Sequence, residues 1–138
     1  MEIRPAVSEL DALAVLILWG AGRTRHAATA DTPGAVERLL ATDPGALLMA
    51  VDGATVLGAL IAAFDGWRGS FYRLAVAPGH RRQGIGSALV RAGEERLRER
   101  GARRVTVLVA REDTDASEFW TAAGYPPDPL IGRHVRNL

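Results

Sequence analysis

A short segment between residues 81 and 86, Arg-Arg-Gln-Gly-Ile-Gly, has the composition of an anion-binding turn. It follows an apolar run that ends at Val76 and precedes a strongly periodic stretch, so we expect it to join a strand to a helix. The first turn of a helix has backbone N–H groups without intrahelical partners and carries partial positive charge. Glycines let a ligand approach the backbone, and arginines suit phosphate oxygens. Arg81 and Arg82 could be mere surface charge, but their place at a glycine-flanked helix start favours a pyrophosphate-binding loop.

Two other phosphate loops do not fit this segment. A nucleotide P-loop requires a lysine followed by serine or threonine, and the chain contains no lysine. The dinucleotide fingerprint requires a small residue where Leu89 stands. What remains is an R-x-x-G-x-G pattern, preceded by Leu-Ala-Val-Ala-Pro at residues 74–78. This combination resembles the acetyl-coenzyme A signature of the GCN5-related N-acetyltransferase (GNAT) family.

A second stretch of the sequence extends the resemblance. Residues 119–125, Phe-Trp-Thr-Ala-Ala-Gly-Tyr, resemble the family's second landmark, an aromatic pair followed by glycine and another aromatic residue. The two landmarks cover residues 71 to 125 with consistent spacing. The resemblance implies an α/β (α+β) fold in which a mixed central sheet is flanked by helices.

Periodicity and turn signals predict the element order β-α-α-β-β-β-α-β-α-β, which agrees with that fold. Helices are expected after Ser8, from Pro33 to about Asp43, from Gly84 to about Arg100 and from Asp115 to Ala123. The later strands are expected at 47–51, 55–64, 71–76 and 105–110, with a weak last strand at 130–135. The apolar side of the first helix is expected to hold Leu10, Leu13, Ala14, Ile17 and Leu18. Asp52-Gly53 indicates a two-residue hairpin.

The composition limits the class of protein. A length of 138 residues predicts one domain, spanning residues 1–138. Seventeen arginines against sixteen acidic residues leave a net charge of +1, and no nucleic-acid partner is indicated. The absence of cysteine excludes disulfides, thiolate metal sites and an acyl-cysteine enzyme, and it permits a reducing cytoplasm.

Membrane and metal sites are not indicated either. The longest apolar stretch, Ala12 to Trp19, is too short to cross a bilayer, and acidic residues near the start argue against a signal peptide. We therefore expect a cytoplasmic protein without a membrane partner. His26, His80 and His134 lack the spacing of metal ligands, so no metal is expected.

The resemblance implies transfer of an acetyl group from acetyl-coenzyme A, the co-substrate, to an amine. The site must remove a proton from the amine, stabilise negative charge on the carbonyl oxygen and protonate the departing thiolate. In relatives a backbone N–H at a bulge in the strand before the loop polarises the carbonyl, and Val76 occupies the matching place. The positions implied for coenzyme binding are Leu74, Val76, Arg81, Arg82, Gln83, Gly84, Ile85, Gly86, Ser87, Asp113 and Trp120.

Both proton carriers that the resemblance implies are missing. Trp120 stands where a tyrosine is usual, and Tyr72 and Arg73 stand where an acidic residue is common. Tyr72 could donate a proton to substrate or water, or it could simply pack on the sheet. Tyr125 could reach the thiolate or fill the core. Asp113 either contacts the pantetheine arm or caps the following helix.

The acceptor is not encoded in any motif, so an amine on a small molecule or a peptide is expected. Asp65 and Trp67, at a hairpin tip, either lie near the acceptor's entrance or are ordinary turn residues. His26, in the stretch 20–30 where relatives tend to build acceptor specificity, is either a base or a solvated residue. Edge strands or the segment 133–138 leave a homodimer open. The missing proton carriers keep a second hypothesis, a catalytically inactive acyl-coenzyme A-binding regulatory domain. A third is an interaction module without a cofactor.

Overall fold

The computed structural model describes residues 1–22 and 31–138, which form two compact units, Met1–Leu108 and Val109–Leu138. The elements of the first unit are β1 (Glu2–Pro5), α1 (Glu9–Gly22), α2 (Pro33–Thr42), β2 (Leu47–Asp52), β3 (Thr55–Phe64), β4 (Gly69–Val76), α3 (Ile85–Glu99) and β5 (Val105–Val107). The second unit contains α4 (Thr114–Ala122). The single domain expected over residues 1–138 stays a prediction. None of these helices is long and apolar enough to span a membrane.

The five strands form one mixed sheet in the order β1-β2-β3-β4-β5. The pairs β1–β2, β2–β3 and β3–β4 are antiparallel, whereas β5 is parallel to β4. A parallel pair needs a crossover connection, and α3 supplies it between β4 and β5. The expected mixed sheet flanked by helices is therefore confirmed.

The two faces of the sheet bury different helices, because successive side chains of a strand point to opposite faces. On one face, Leu47, Met49 and Ala59 belong to the core cluster that includes side chains of α1 and α2. On the other face, α3 approaches so closely that a Cβ on Gly58 would lie 3.0 Å from Leu89 Cδ1. The sheet is thus a middle layer of the first unit.

The buried side of α1 differs from the expected one. Leu10, Leu13 and Ile17 are 77%, 53% and 67% exposed, although they were expected to face the core. The buried residues of α1 are Ala12, Val15, Leu18 and Trp19. The helix is apolar on nearly all sides, so helical periodicity could not select the face that packs.

The C-terminal part of the prediction was also wrong. Residues 130–135 form no strand, and β5 ends at Val107 rather than at Ala110. Leu130, Ile131 and Val135 are 69% to 90% exposed, so no burial stabilises a strand there. Prolines at 126, 127 and 129 lack the N–H that a sheet ladder requires.

Helix starts followed the sequence signals more closely. The helix expected from Pro33 begins there, and Thr32 caps it by accepting the Ala35 N–H at 3.1 Å. The hairpin between β2 and β3 is one residue displaced from the prediction, since Asp52 pairs with Thr55 and the loop residues are Gly53 and Ala54. Residues 20–22, the start of the stretch 20–30, belong to α1, which ends at Gly22. The rest of that stretch, residues 23–30 with His26, lies outside the described residues.

The start of α1 is fixed by a reciprocal cap. Ser8 Oγ accepts the Asp11 N–H at 3.0 Å, while the Asp11 carboxylate accepts the N–H groups of Val7 at 3.0 Å and Ser8 at 3.3 Å. Arg4 binds both carboxylate oxygens, at 2.9 and 3.0 Å. The Arg4 guanidinium first, and then the two backbone N–H groups, hold the pKa of Asp11 well below its usual range.

We expect Asp11→Asn to lower the free energy of unfolding by about 1–2 kcal/mol at pH 7, through loss of the charged cap and the arginine pair. A carboxyl group with a lowered pKa stabilises the fold above its ordinary pKa and loses that contribution as the pH falls below about 4. Urea titrations at pH 7 and pH 3 should therefore show a difference that shrinks in acid. Glu9→Gln, an exposed change on the same helix, is the control, and equal stability of wild type and Asp11→Asn at pH 7 would contradict the prediction.

Candidate functional site at the end of β4

β4 and β5 are paired over only part of their length. β5 pairs with Gly69, Ser70 and Phe71. In the described chain, the remaining residues of β4, 72–76, therefore have β3 on one side and no paired strand on the other. Backbone groups on such an edge can bind an extended ligand by hydrogen bonds.

β4 contains a bulge at Arg73 and Leu74. Ala59 of β3 pairs with Ala75, and Ile61 pairs with Tyr72, so these two residues of β4 lie opposite the single residue Leu60. Arg73 has a φ of 56°, in the left-handed region that non-glycine residues seldom adopt. The bulge shifts the register of the rest of β4 by one residue.

The shifted register decides where the Val76 N–H points. The Ala77 N–H donates to the Leu57 carbonyl at 2.7 Å, so Ala77 faces β3. Backbone groups alternate in direction along a strand, and the backbone of Val76 therefore faces the unpaired side. On that side the Val76 carbonyl accepts a hydrogen bond from Arg81 Nε at 3.4 Å. The N–H of Val76 thus points to the edge where β5 has ended.

The loop after β4 leads into α3 through left-handed residues. Gly79, Arg82 and Gly84 have φ values of 87°, 62° and 80°. Gly84 is the N-cap of α3 and has no side chain with which to cap it, and a Cβ placed there would meet no atom within 4 Å. There is accordingly room for a ligand at the backbone of Gly84.

The first turn of α3 offers N–H groups to that space. The first helical hydrogen bond runs from the Ala88 N–H to the Gly84 carbonyl at 3.0 Å, so the N–H groups of residues 85–87 have no acceptor within the helix. Arg81, Arg82 and Gln83 are exposed beside them. This combination of helix dipole, N–H groups and guanidinium groups can bind phosphate.

The side chains of β4 and of the first turn of α3 differ in their exposure to solvent. Ile85 is 3% exposed and packs on Gly58, so only its backbone can face a ligand. Leu74 and Ser87 are half-buried. Tyr72 is 47% exposed, and its partner Ile61 belongs to the face that packs against α1 and α2. The phenol of Tyr72 is therefore accessible to solvent on the strand that carries Val76.

The sequence and the fold can now be compared with those of known proteins. The model of the Acetyltransferase (GNAT) family matches residues 17–125, which include β4, the glycine loop and α3. The chain belongs to the GNAT family. The resemblance drawn from the R-x-x-G-x-G pattern and the aromatic landmark is thereby confirmed.

Relatives of this GNAT chain are named acetyltransferases. One from Yersinia pestis (strain Pestoides F) is 40% identical over 81 residues, which are 59% of this chain and 57% of that protein. The match thus spans little more than half of the relative's length.

Solved GNAT structures show the same fold. An aminoglycoside antibiotic 6'-N-acetyltransferase from Acinetobacter haemolyticus superposes with a TM-score of 0.75 and 20% identity, covering 100% of this chain and 99% of that one. The NatC complex bound to Gag peptide and CoA superposes with a TM-score of 0.75 and 19% identity, covering 88% of this chain and 83% of that one. At such identities the likeness establishes the fold.

In the second unit of this GNAT chain, the aromatic landmark forms a local cluster. Trp120 is 6% exposed, and its ring meets Phe119 and Tyr125 edge-on at centroid distances of 5.2 and 5.4 Å. The Asp113 carboxylate accepts the Ala116 N–H at 3.0 Å and so caps α4, as one of its two expected roles required. The roles of Asp113, Trp120 and Tyr125 towards coenzyme or substrate stay predictions.

The hairpin tip between β3 and β4 lies at the opposite end of β4 from the glycine loop. Asp65 and Trp67 precede Gly69, where β4 begins, whereas the glycine loop leaves β4 after Val76. Seven strand steps separate the two ends by roughly 23 Å. The Asp65 carboxylate accepts the N–H groups of Arg68 at 2.7 Å and Trp67 at 2.8 Å, which lowers the pKa of Asp65. These are the interactions of an ordinary turn, which was one of the two expected roles. A role of Asp65 and Trp67 in acceptor binding stays a prediction.

The histidines of this GNAT chain form no cluster in the part that the structure describes. The His80 N–H donates to the Ala77 carbonyl at 3.0 Å within the loop after β4, and His134 is exposed in the second unit. Across residues 1–22 and 31–138, no group of three or more His, Cys, Asp or Glu residues could hold a metal ion.

The contacts of Trp19 and Asp31 with the bulge were not predicted from the sequence. Trp19 Nε1 donates to the Arg73 carbonyl at 3.0 Å, and the Asp31 carboxylate pairs with the Arg73 guanidinium at 2.9 Å. A buried indole N–H needs an acceptor, which is the only signal that the sequence offered for Trp19. That signal does not say which carbonyl accepts.

Proposed function

We propose that this GNAT chain is an acetyl-coenzyme A-dependent N-acetyltransferase that transfers the acetyl group directly to a primary amine. The observation that carries the proposal is the junction of β4 and α3. There an outward-facing strand N–H, at Val76, is followed within ten residues by the N–H groups at the start of α3. The strand N–H suits a carbonyl oxygen, and the N–H groups of the helix start suit a pyrophosphate.

The residues present fit the coenzyme. The backbone of Gly84, Gly86 and Ser87, with the side chains of Arg81 and Arg82, would hold the pyrophosphate by charge-assisted hydrogen bonds. The free edge of β4 at Leu74 and Val76 would hold the amide-containing arm, because an extended chain can pair with an unpaired strand. The open space above Gly84 supports this assignment, since a ligand can reach the backbone there.

The proposed reaction requires a group that stabilises negative charge on the carbonyl oxygen and groups that transfer a proton. Acetyl-coenzyme A supplies a thioester: a C–N bond forms to the amine, the C–S bond breaks, and a proton passes on balance from the amine to the thiolate. The Val76 N–H would donate to the carbonyl oxygen as negative charge develops on it. The exposed phenol of Tyr72 would donate to or accept from substrate or a bound water. Direct transfer agrees with a chain that has no cysteine to carry the acetyl group.

The acceptor is proposed only as a class. Among proteins of this fold, one solved structure is named for an aminoglycoside and another contains a peptide, so both small molecules and peptides suit the fold. A screen of small amines, amino acids and peptides, with thiol release as the readout, would identify the acceptor. Turnover above the uncatalysed thioester reaction supports the proposal.

A binding-only domain is the second candidate function. Trp120, buried in its aromatic cluster, provides no titratable group where the family usually has a tyrosine. Coenzyme A binding without acetylation of any amine in the screen would favour this candidate. Failure of every coenzyme A thioester to bind would contradict both candidates and favour an interaction module.

The coenzyme assignment predicts a specific effect of Gly84→Ala. The added Cβ enters the space left for the ligand, and alanine also resists the left-handed backbone of this position. We expect the Kd for coenzyme A, measured by isothermal titration, to rise by at least about tenfold, equivalent to about 1.4 kcal/mol.

Gly66→Ala is the matched control for that substitution. Gly66 also has a left-handed backbone, with a φ of 93°, and open space around a Cβ, but it lies in the hairpin tip remote from the loop. It should cost similar stability and leave coenzyme A affinity unchanged. Equal affinity of Gly84→Ala and wild type would remove the loop from the proposed site.

A further inference from the structure

The bulge of β4 is built on a residue that does not favour its conformation. Arg73 has a φ of 56°, whereas the left-handed region is adopted readily by glycine and only at a cost by a residue with a Cβ. No glycine is present at residues 70–76 to relieve that cost. The conformation therefore needs support from its surroundings.

Among the described residues, Trp19 and Asp31 contact Arg73 from outside the sheet. Trp19, 6% exposed on α1, donates its Nε1–H to the Arg73 carbonyl at 3.0 Å. Asp31, which precedes α2, pairs with the Arg73 guanidinium at 2.9 Å, and the two side chains are 14% and 27% exposed. One contact fixes the backbone of the residue and the other fixes its side chain. Both are sheltered enough to be stronger than an exposed pair.

The bulge has a direct effect on Val76. Without it, the pairing of Ile61 with Tyr72 would continue uninterrupted and would place Val76 opposite Leu57. The Val76 N–H would then be the donor to the Leu57 carbonyl. With the extra residue, Ala77 makes that hydrogen bond at 2.7 Å and the Val76 N–H is turned to the free edge.

We propose that Trp19 and Asp31 are positioning residues that hold the bulge at Arg73 and thereby direct the Val76 N–H to the acetyl-binding side. This inference rests on the proposed function for its catalytic consequence, but its structural part can be tested without coenzyme or acceptor. It connects α1 and the segment before α2 to the reaction through the backbone of one strand residue.

Amide hydrogen exchange of the full chain, followed by NMR, tests the structural part. In wild type the Val76 amide should exchange faster than the hydrogen-bonded Ala77 amide. Trp19→Phe keeps an aromatic ring, though a smaller one, and removes the N–H donor. In this variant we expect Val76 to exchange about tenfold slower and Ala77 about tenfold faster, as the uninterrupted ladder becomes populated. Met49 of β2, which pairs with Arg4 of β1, is the internal reference and should change little.

Opposite changes at neighbouring amides are not produced by general loosening of the fold. A uniform rise at Val76, Ala77 and Met49, or no change at Val76 and Ala77, would overturn the proposal. Asp31→Asn should give the same opposite changes with smaller amplitude, and it provides the test if Trp19→Phe does not fold.

Arg73→Gly supplies the rescue. Glycine adopts the left-handed conformation without support, so Trp19→Phe should alter the two amides less than twofold in an Arg73→Gly background. An undiminished effect of Trp19→Phe in that background contradicts the proposed role of Trp19.

The catalytic consequence has a separate readout. Trp19→Phe should lower kcat by about tenfold while the Kd for coenzyme A, which lacks the acetyl carbonyl, stays within twofold. An unchanged kcat beside the expected exchange pattern would refute the link to catalysis and leave the support of the bulge intact. If wild type acetylates no amine, the proposed transferase activity fails, and the exchange experiment still decides whether Trp19 and Asp31 hold the bulge.

Discussion

Valine in place of Gly93 should lower the free energy of unfolding by about 3 kcal/mol, because α3 has no room for a side chain at this position. A Cβ on Gly93 would lie 2.7 Å from Phe71 Cε1 and 3.2 Å from Leu60 Cδ2. Phe71 is 1% exposed and Leu60 is fully buried, so neither side chain can move into solvent. The helix must shift away from the sheet, or the ring of Phe71 must leave its rotamer.

Gly20→Val is the matched control, since Gly20 also lies within a helix but a Cβ there would meet nothing within 4 Å. Valine is a slightly better helix former than glycine, so this variant should be within about 0.5 kcal/mol of wild type. Urea denaturation followed by circular dichroism would measure both. Equal stability of the two variants would show that the contact with Phe71 does not restrict α3.

The same packing brings α3 to the candidate site. Gly58, Gly69 and Gly93 each lie where a Cβ would come within 3.0 Å of a buried side chain, and together they seat the helix along its length. Because the first turn of α3 packs on Gly58, its N–H groups are placed beside the end of β4. Overpacking at Gly93 should therefore weaken coenzyme A binding as well as stability, although the residue is more than one helical turn from the loop.

Local signals in the sequence predicted the parts of this molecule that local chemistry decides. The glycine loop stood out because a left-handed backbone and the close approach of a ligand both favour glycine. Thr32 before Pro33 marked the start of α2, and Asp113 marked the start of α4. In each case the physical cause lies within four residues of the signal.

Features that depend on distant contacts could not be predicted in this way. The bulge lies at Arg73, a residue that disfavours it, and it is contacted by Trp19 and Asp31, 54 and 42 positions earlier in the chain. The buried face of α1 was misassigned because Leu10 and Ile17 are as apolar as the residues that pack. The sequence around Trp67 predicted a turn, but the direction of β4 decides how far that turn lies from the glycine loop.

Proline in place of Val76 should lower kcat by roughly 100-fold with little change in coenzyme A affinity, because it removes the N–H that we assign to the carbonyl oxygen. The substitution suits this position for two reasons. The Val76 N–H is not part of the ladder with β3, and Ala75 before it is already extended, as a residue before proline prefers to be.

Ala77→Pro removes the neighbouring N–H and separates catalysis from stability. That N–H donates to the Leu57 carbonyl at 2.7 Å, so its loss should cost about 1–3 kcal/mol of unfolding free energy. Val76→Pro should keep most of that stability and lose turnover instead. Steady-state kinetics with the acceptor found in the screen, together with the ratio of affinities for acetyl-coenzyme A and coenzyme A, would test the pair. Proline has no backbone N–H, so Val76→Pro lacks the proposed donor. An undiminished kcat and an unchanged affinity ratio in this variant would therefore exclude the Val76 N–H from the reaction.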